Sequence, residues 1–424
     1  MKRTLAFGGL VATAGLLAAG LAAPAQATPQ DVASDALATN GIAAYAVASY
    51  WHANNKANLI GATPYTVETK VAAKHLSKGG PSADSKPGVV PAIGDEKKTA
   101  AKSKNVNLPK TTGKVFFRGA DGKPHWCTAT SVQSAYHNMV ATAGHCVYDT
   151  ESNATTMDNW VFIPGYYQGK TPWGLYVGKT AYTHYDYDVY EDGDRDYAFV
   201  TVYNGLKFFH DGVIRDQHGP NKYTSNPGAW KQVSKATFDK FPKAFRDADW
   251  GWCFFNNKYY VWAFEDAGRL GDNVGGQGLA YNQKIGQPVF VFGYPSGSHP
   301  DGNYAFTGKT LKWTYGKTFA AQAPAIKAEE LQGVKSSFTG EGALGSAWLL
   351  KYNNGRRLGY LNGVTIGVSD TDGNDRYDTS VSPYFDGETY GVYSAAKNNW
   401  SGSIAVPFEN PLLHQSPAPT ATAS

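Results

Sequence analysis

Residues 141–146 read Ala-Thr-Ala-Gly-His-Cys, and the rest of the chain is best read outward from them. A strand-like run ends in small residues and hands over to His145, with Cys146 beside it. A lone histidine is more often structural than catalytic. Here the small neighbours leave room around the imidazole, and the adjacent cysteine offers a covalent anchor. Cys127 sits on the preceding strand-like run HWCTATSV. A Cys127–Cys146 bridge would tie the strand end and hold the ring still. A catalytic base needs that fixity, because its reach to a nucleophile is only about 2.6–3.2 Å. The third cysteine, Cys253, is left over: one pair plus one remainder is the expected arithmetic.

Further along, DRDYAFVTV (194–202) places Asp196 just before another strand-like run. A buried carboxylate there can accept the Nδ1–H of a histidine, fix its tautomer and stabilise the imidazolium. Asp192 and Asp194 read as a solvated acidic turn. Short Val/Phe/Tyr runs recur between turn residues, from GKVFFR (113–118) to LGYLNGVTIGV (358–368). No helical pattern of 10–15 residues alternates with them, so a parallel α/β sheet is excluded and an all-β domain expected. There is no repeat at a fixed period.

The ends differ from this middle. A basic start, an apolar run and Ala25-Gln26-Ala27 read as a secretory signal peptide over 1–27. No later stretch is apolar enough to span a bilayer. The chain is therefore expected outside the cytoplasm, where disulfides form. Residues 28–110 read as a leader, either a pro-segment or a plain spacer. A short amphipathic helix is expected within 43–62 and a flexible linker over 74–104. The tail 401–424, rich in Pro, Ala and Thr, reads as disordered. A net charge of +4 with 17% charged residues is too mild to argue for nucleic acid.

Taken in order, the strings GKVFF, WCTATSV, VATAGHCV, DYAFVTV, VFGYP and FTGEGALGSAW resemble the chymotrypsin-like (trypsin-like) serine peptidases, most closely the secreted bacterial, glutamyl-endopeptidase-like branch. The likeness covers about 111–400. It implies two antiparallel β-barrels with the site in the cleft between them. The first would span about 111–205 and the second about 285–400, joined through an aromatic-rich insertion at 206–284. It also implies roles. His145 and Asp196 would be base and orienter, the backbone N–H groups of Gly342 and Leu344 would form the oxyanion hole, and Gly363, Val364 and Thr365 would lie on the strand that pairs with substrate.

The resemblance fails at one position that matters. The family turn G-x-S-G-G/S-P/A-W falls on Gly342-Ala343-Leu344-Gly345-Ser346-Ala347-Trp348, so Leu344 stands where the nucleophilic serine should be. Leucine has no lone pair to attack a carbonyl. Loss of the nucleophile in such a triad costs about a million-fold in turnover. Ser346 is the alternative nucleophile, but two residues along an extended chain are about 6–7 Å away. Using it would require a rearranged turn. A cysteine that relatives carry before this turn is also missing, with serines at 336 and 337 instead.

Three functions follow. The first is a peptidase homologue that has lost its nucleophile and binds peptide or protein. The second is an active serine endopeptidase using Ser346. The third is a secreted scaffold, which would need neither His145 nor Asp196. No cofactor and no metal site is expected. The loop of Asp370, Asp372 and Asn374 reads as a solvated turn, with calcium as its alternative, since it lacks the glycine and the glutamate of an EF-hand loop. Partners are expected to be peptide or protein, without nucleic acid and without a membrane span; the oligomeric state is not legible.

Overall fold

Period-two burial along the strands builds the first barrel and its outer layer together. Along Thr112–Arg118, Val115 and Phe117 enter the barrel core, while Phe116 points the other way into a second apolar cluster. Along Asp158–Pro164, Trp160 and Phe162 face inward, and Val161 and Ile163 face outward. The outward residues are covered by the long helix Gly41–Gly61, whose Trp51 ring lies 5.7 Å from that of Phe116. Asn40 caps this helix by accepting the Ala43 N–H at 2.9 Å. The computed structural model describes residues 31–67, 69–94, 105–150, 156–208, 230–248 and 251–404.

Six strands close the barrel. In spatial order they are Thr112–Arg118, Pro124–Val132, Met139–Thr142, Ala198–Val202, Tyr176–His184 and Asp158–Pro164. The last pairs back onto the first, and every join is antiparallel. Closure removes the free edges of an open sheet. The second half is a curved pair of sheets. One runs Lys312–Lys317, Pro288–Gly293, Ala347–Asn353, Leu358–Val364, Gly278–Tyr281. The other runs Gly367–Ser369, Thr379–Pro383, Ala328–Lys335, Phe319–Ala323. All their joins are antiparallel except that between Gly278–Tyr281 and Leu358–Val364. The all-β, chymotrypsin-type two-barrel architecture is present, as a closed six-stranded barrel and a half-barrel.

Thr128 pins the two halves. Its N–H donates to the Leu344 carbonyl at 2.9 Å, its Oγ1 donates to the Gly342 carbonyl at 2.8 Å, and that oxygen accepts the Tyr294 N–H at 3.0 Å. Within 206–284, small sheets pack against the long helix through Tyr45, whose ring lies 5.0 Å from Phe264 and 5.9 Å from Phe241.

The leader departs from expectation. Val32–Ala36 adds a strand beside Tyr176–His184. A helix stands where one was expected, but over Gly41–Gly61 it is 21 residues long rather than short. Lys74–His75 pairs with Ala321 and Gln322, and Gly88–Val90 pairs with Leu279–Tyr281. The part of the supposed flexible linker within 74–94 is thus seated on the second half. Its Gly, Pro and Lys content misled because these joins use main-chain groups, which side-chain composition does not reveal. The remaining linker residues 95–104, the signal-peptide reading at 1–27 and the tail from 405 onward lie outside the described residues.

Candidate active site

His145 lies in the short helical turn Gly144–Cys146, directly after the strand Met139–Thr142. The expected disulfide joins Cys127 to Cys146 and fixes this turn to the neighbouring strand. Trp160 adds a second tie by donating its Nε1–H to the Cys146 carbonyl at 3.1 Å. Asp196 follows the turn Gly193–Arg195 and precedes Ala198–Val202. One carboxylate oxygen of Asp196 lies 2.5 Å from His145 Nδ1, and the other accepts the His145 backbone N–H at 3.0 Å. Both residues are buried. The carboxylate therefore holds both the ring and the backbone of the histidine, which fixes the tautomer with Nδ1 protonated. Gly144 makes the approach possible, since a Cβ there would lie 2.9 Å from the Asp196 carboxylate and 2.5 Å from the Tyr187 ring.

Asp192 and Asp194 are not a solvated turn. Asp192 accepts the Asp194 N–H and pairs with Arg195, whose guanidinium also reaches Glu388 at 2.8 Å. Asp194 accepts the backbone N–H groups of Glu329 and Glu330 at 2.9 and 2.8 Å, tying the loop before Asp196 to the second half. Burial pushes its carboxyl up to about 6.

The glycine turn sits against the strand that carries His145. A Cβ on Gly345 would lie 2.0 Å from the Thr128 carbonyl and 2.3 Å from Thr142 Oγ1. Its φ of +79° is also one that only glycine adopts without strain. Gly342 has φ +71° and the Trp126 ring across it. Behind that ring, the buried Lys114 places its Nζ 3.1 Å from the Trp126 centroid. Burial drives this ammonium well below its ordinary range.

Leu344 has no exposed surface. It shares one packed cluster with Tyr65, Val71, Cys146 and Ile366. The turn thus presents a buried hydrocarbon at its centre. Ser346 is turned elsewhere: its Oγ donates to the Ala343 carbonyl at 2.5 Å and lies over Gly293. Among the described residues, neither the Gly342 N–H nor the Leu344 N–H has a hydrogen-bond acceptor. The two groups proposed for the oxyanion hole are therefore not consumed by the turn.

Gly363 and Val364 end the strand Leu358–Val364, with Val364 opposite Ala347. Thr365 accepts the Trp348 Nε1–H at 2.9 Å and is buried. These three are interior. The edge that pairs with an outside segment lies further on, at Gly367–Ser369, and part of the leader occupies it. The Val368 N–H donates to the Thr69 carbonyl at 2.9 Å, and the Val71 N–H donates to the Val368 carbonyl at 3.0 Å. Upstream, Thr63 and Pro64 pair with His125 and Trp126 of the first barrel. Between these points Tyr65 stacks on His145, with ring centroids 6.3 Å apart and planes at 30°. Sequence reasoning missed this strap. The available signal was the alternation of Tyr65, Val67, Thr69, Val71 and Ala73.

Cys253 is buried and lies outside the disulfide. Among the described residues, no group of three or more His, Cys, Asp or Glu is placed to hold a metal ion. Asp370 instead accepts N–H groups of its own loop, from Gly373 and Asp375, both at 2.9 Å. No described helix is long and apolar enough to cross a membrane.

No family model matches the chain, and no curated protein is similar to it in sequence. Several solved structures share its chain trace. The protease Anisep from Arthrobacter nicotinovorans is 23% identical over 69% of this chain and 98% of its own, with a TM-score of 0.46. The thermostable serine protease AL20, from an extremophilic microorganism, is 22% identical over 68% and 98%, with a TM-score of 0.45. A Glu endopeptidase is 15% identical over 70% and 95%, with a TM-score of 0.41. At such identities and scores the likeness carries nothing about activity, and the fold stands on the chain's own strand pairings.

Proposed function

We propose that this chain is a secreted serine-peptidase-like protein without a working nucleophile, which binds peptide or protein segments in the cleft between its barrels. The observation that carries this reading is Leu344, a fully buried apolar side chain in the turn that abuts the histidine strand. His145 and Asp196 would remain as base and orienter with no hydroxyl to deprotonate. Gly342 and residue 344 would remain as oxyanion donors with no tetrahedral intermediate to hold. Secretion is supported by the leader pattern and by the disulfide, which needs an oxidising compartment.

The rival reading, hydrolysis through Ser346, would require that hydroxyl to leave the Ala343 carbonyl and rotate away from Gly293. The third, a scaffold without a site, gives no reason for a carboxylate that bonds both the ring and the backbone of one histidine. The test is digestion of a mixed peptide library, read by mass spectrometry, with His145→Ala as control. Wild type should produce no new termini beyond those of the variant. Termini made by wild type alone would sink the reading.

A further inference from the structure

The strap shows what the cleft accommodates. The described residues 63–67 and 69–76 lead from the first barrel to the second, with a turn at Val67, and are bonded by main chain at both ends. Tyr65 N–H donates to the Trp126 carbonyl at 2.9 Å, and Leu76 N–H donates to the Ala320 carbonyl at 2.9 Å. Burial alternates strictly over residues 69–74, after the separate buried seat of Tyr65. Tyr65, Thr69, Val71 and Ala73 are buried, while Thr66, Lys70, Ala72 and Lys74 are exposed. The inward residues have specific seats. Tyr65 lies on His145, Thr69 lies against Gly340, and Val71 lies against Gly367. Glycine at 340 and 367 leaves the depth those side chains fill. The pairings with His125–Trp126 and with Val368 are both parallel, while the far end, Lys74–His75 on Ala321–Gln322, pairs antiparallel.

Resting on the binding reading above, we infer that the cleft is a docking groove for an extended peptide. Its ligand has an aromatic residue and, four residues on, the first of a run of small or β-branched residues at every second position. Residues 63–76 are the resident occupant. Main-chain pairing supplies affinity without regard to sequence, and the alternating seats supply selectivity. A tethered occupant also gates the groove. Its effective concentration is on the order of 1 mM, so a free peptide of about 1 μM intrinsic affinity is disfavoured about 1000-fold until the strap is displaced. A true partner must out-compete the strap or meet a chain in which it has been released.

The test uses the full chain and a fluorescent synthetic peptide of residues 62–77, followed by anisotropy. Wild type should bind it at least tenfold more weakly than a Tyr65→Ala, Val71→Asp variant, whose own strap is spoiled while the peptide keeps the native residues. A control peptide carrying Val71→Asp should not bind. Equal binding by wild type and variant would overturn the inference. So would no binding by a variant that retains its disulfide and its near-ultraviolet circular dichroism. Should the variant fail to fold, hydrogen exchange on wild type decides. The amides of Tyr65, Val71 and Val368 should exchange together and well before those of the barrels. Exchange of these three only with global unfolding would overturn the gate. Peptide binding accompanied by a fluorophosphonate adduct on the variant would uphold the groove and overturn the non-enzymatic reading instead.

Discussion

Replacing Leu344 with serine should weaken the fold and create a reactive centre at once. Leu344 has no exposed surface and sits in a cluster with Tyr65, Val71 and Ile366. Truncating a buried leucine costs about 2–5 kcal/mol, more where the surroundings cannot collapse. The turn is held by glycines at φ +71° and +79° and by two hydrogen bonds from Thr128, so little collapse is available. A loss of about 3 kcal/mol is expected, lowering the melting temperature by several degrees in a chain of this size. On the function proposed above, the new hydroxyl takes the nucleophile's place beside the ring that Asp196 holds, and fluorophosphonate labelling should appear in Leu344→Ser but not in Leu344→Ser with His145→Ala. Calorimetry and intact-mass analysis read the two effects. A Leu344→Ser protein as stable as wild type would refute the packing argument. A folded one that takes no label would refute the placement of His145 as base.

Other perturbations test separate parts of the account. Replacing both Cys127 and Cys146 with alanine opens a covalent link of sequence separation 19, which should cost about 3 kcal/mol by loop entropy, read as a lower denaturation midpoint. Gly345→Ala should abolish the native turn, because its Cβ would meet the Thr128 carbonyl at 2.0 Å and adopt a φ of +79°; unchanged stability would contradict the turn geometry. Asp194 gives a pH signature. Its carboxyl keeps a proton up to about pH 6 in the folded chain and loses it near 3.8 when unfolded, so the folded state binds more protons between these values. Stability from this group is therefore full below about pH 4, falls as pH rises to about 6, and levels off above. Urea midpoints should fall less across that window in Asp194→Asn than in wild type.

The pair of His145 and Asp196 was legible because the chemistry leaves local traces: small residues and a cysteine around the histidine, and an acid at the head of an apolar strand. The disulfide was legible for the same reason. The burial of Leu344 was not. Leu344 shares its core cluster with Tyr65 and Val71, nearly three hundred residues earlier, and no local pattern announces which distant segments will pack into one core. Gly363, Val364 and Thr365, expected on the strand that pairs with substrate, are interior, and the leader meets the sheet at Val368, because a strand's own letters do not say where its neighbour stops. The linker reading failed within 74–94, since edge pairing uses N–H and C=O groups that every sequence carries. Asp194 looked like a solvent-facing acid because its partners, the backbone N–H groups of Glu329 and Glu330, are distant in sequence.

The central claim is that this chain keeps the base and its orienter but has lost the nucleophile. Intact-mass spectrometry after incubating the wild-type protein, and the strap-weakened Tyr65→Ala, Val71→Asp variant, with a fluorophosphonate tests it most directly. The account predicts unmodified mass for both, because an open cleft still offers His145 no hydroxyl. A single adduct on either protein, mapped to Ser346 and abolished by Ser346→Ala, would contradict it.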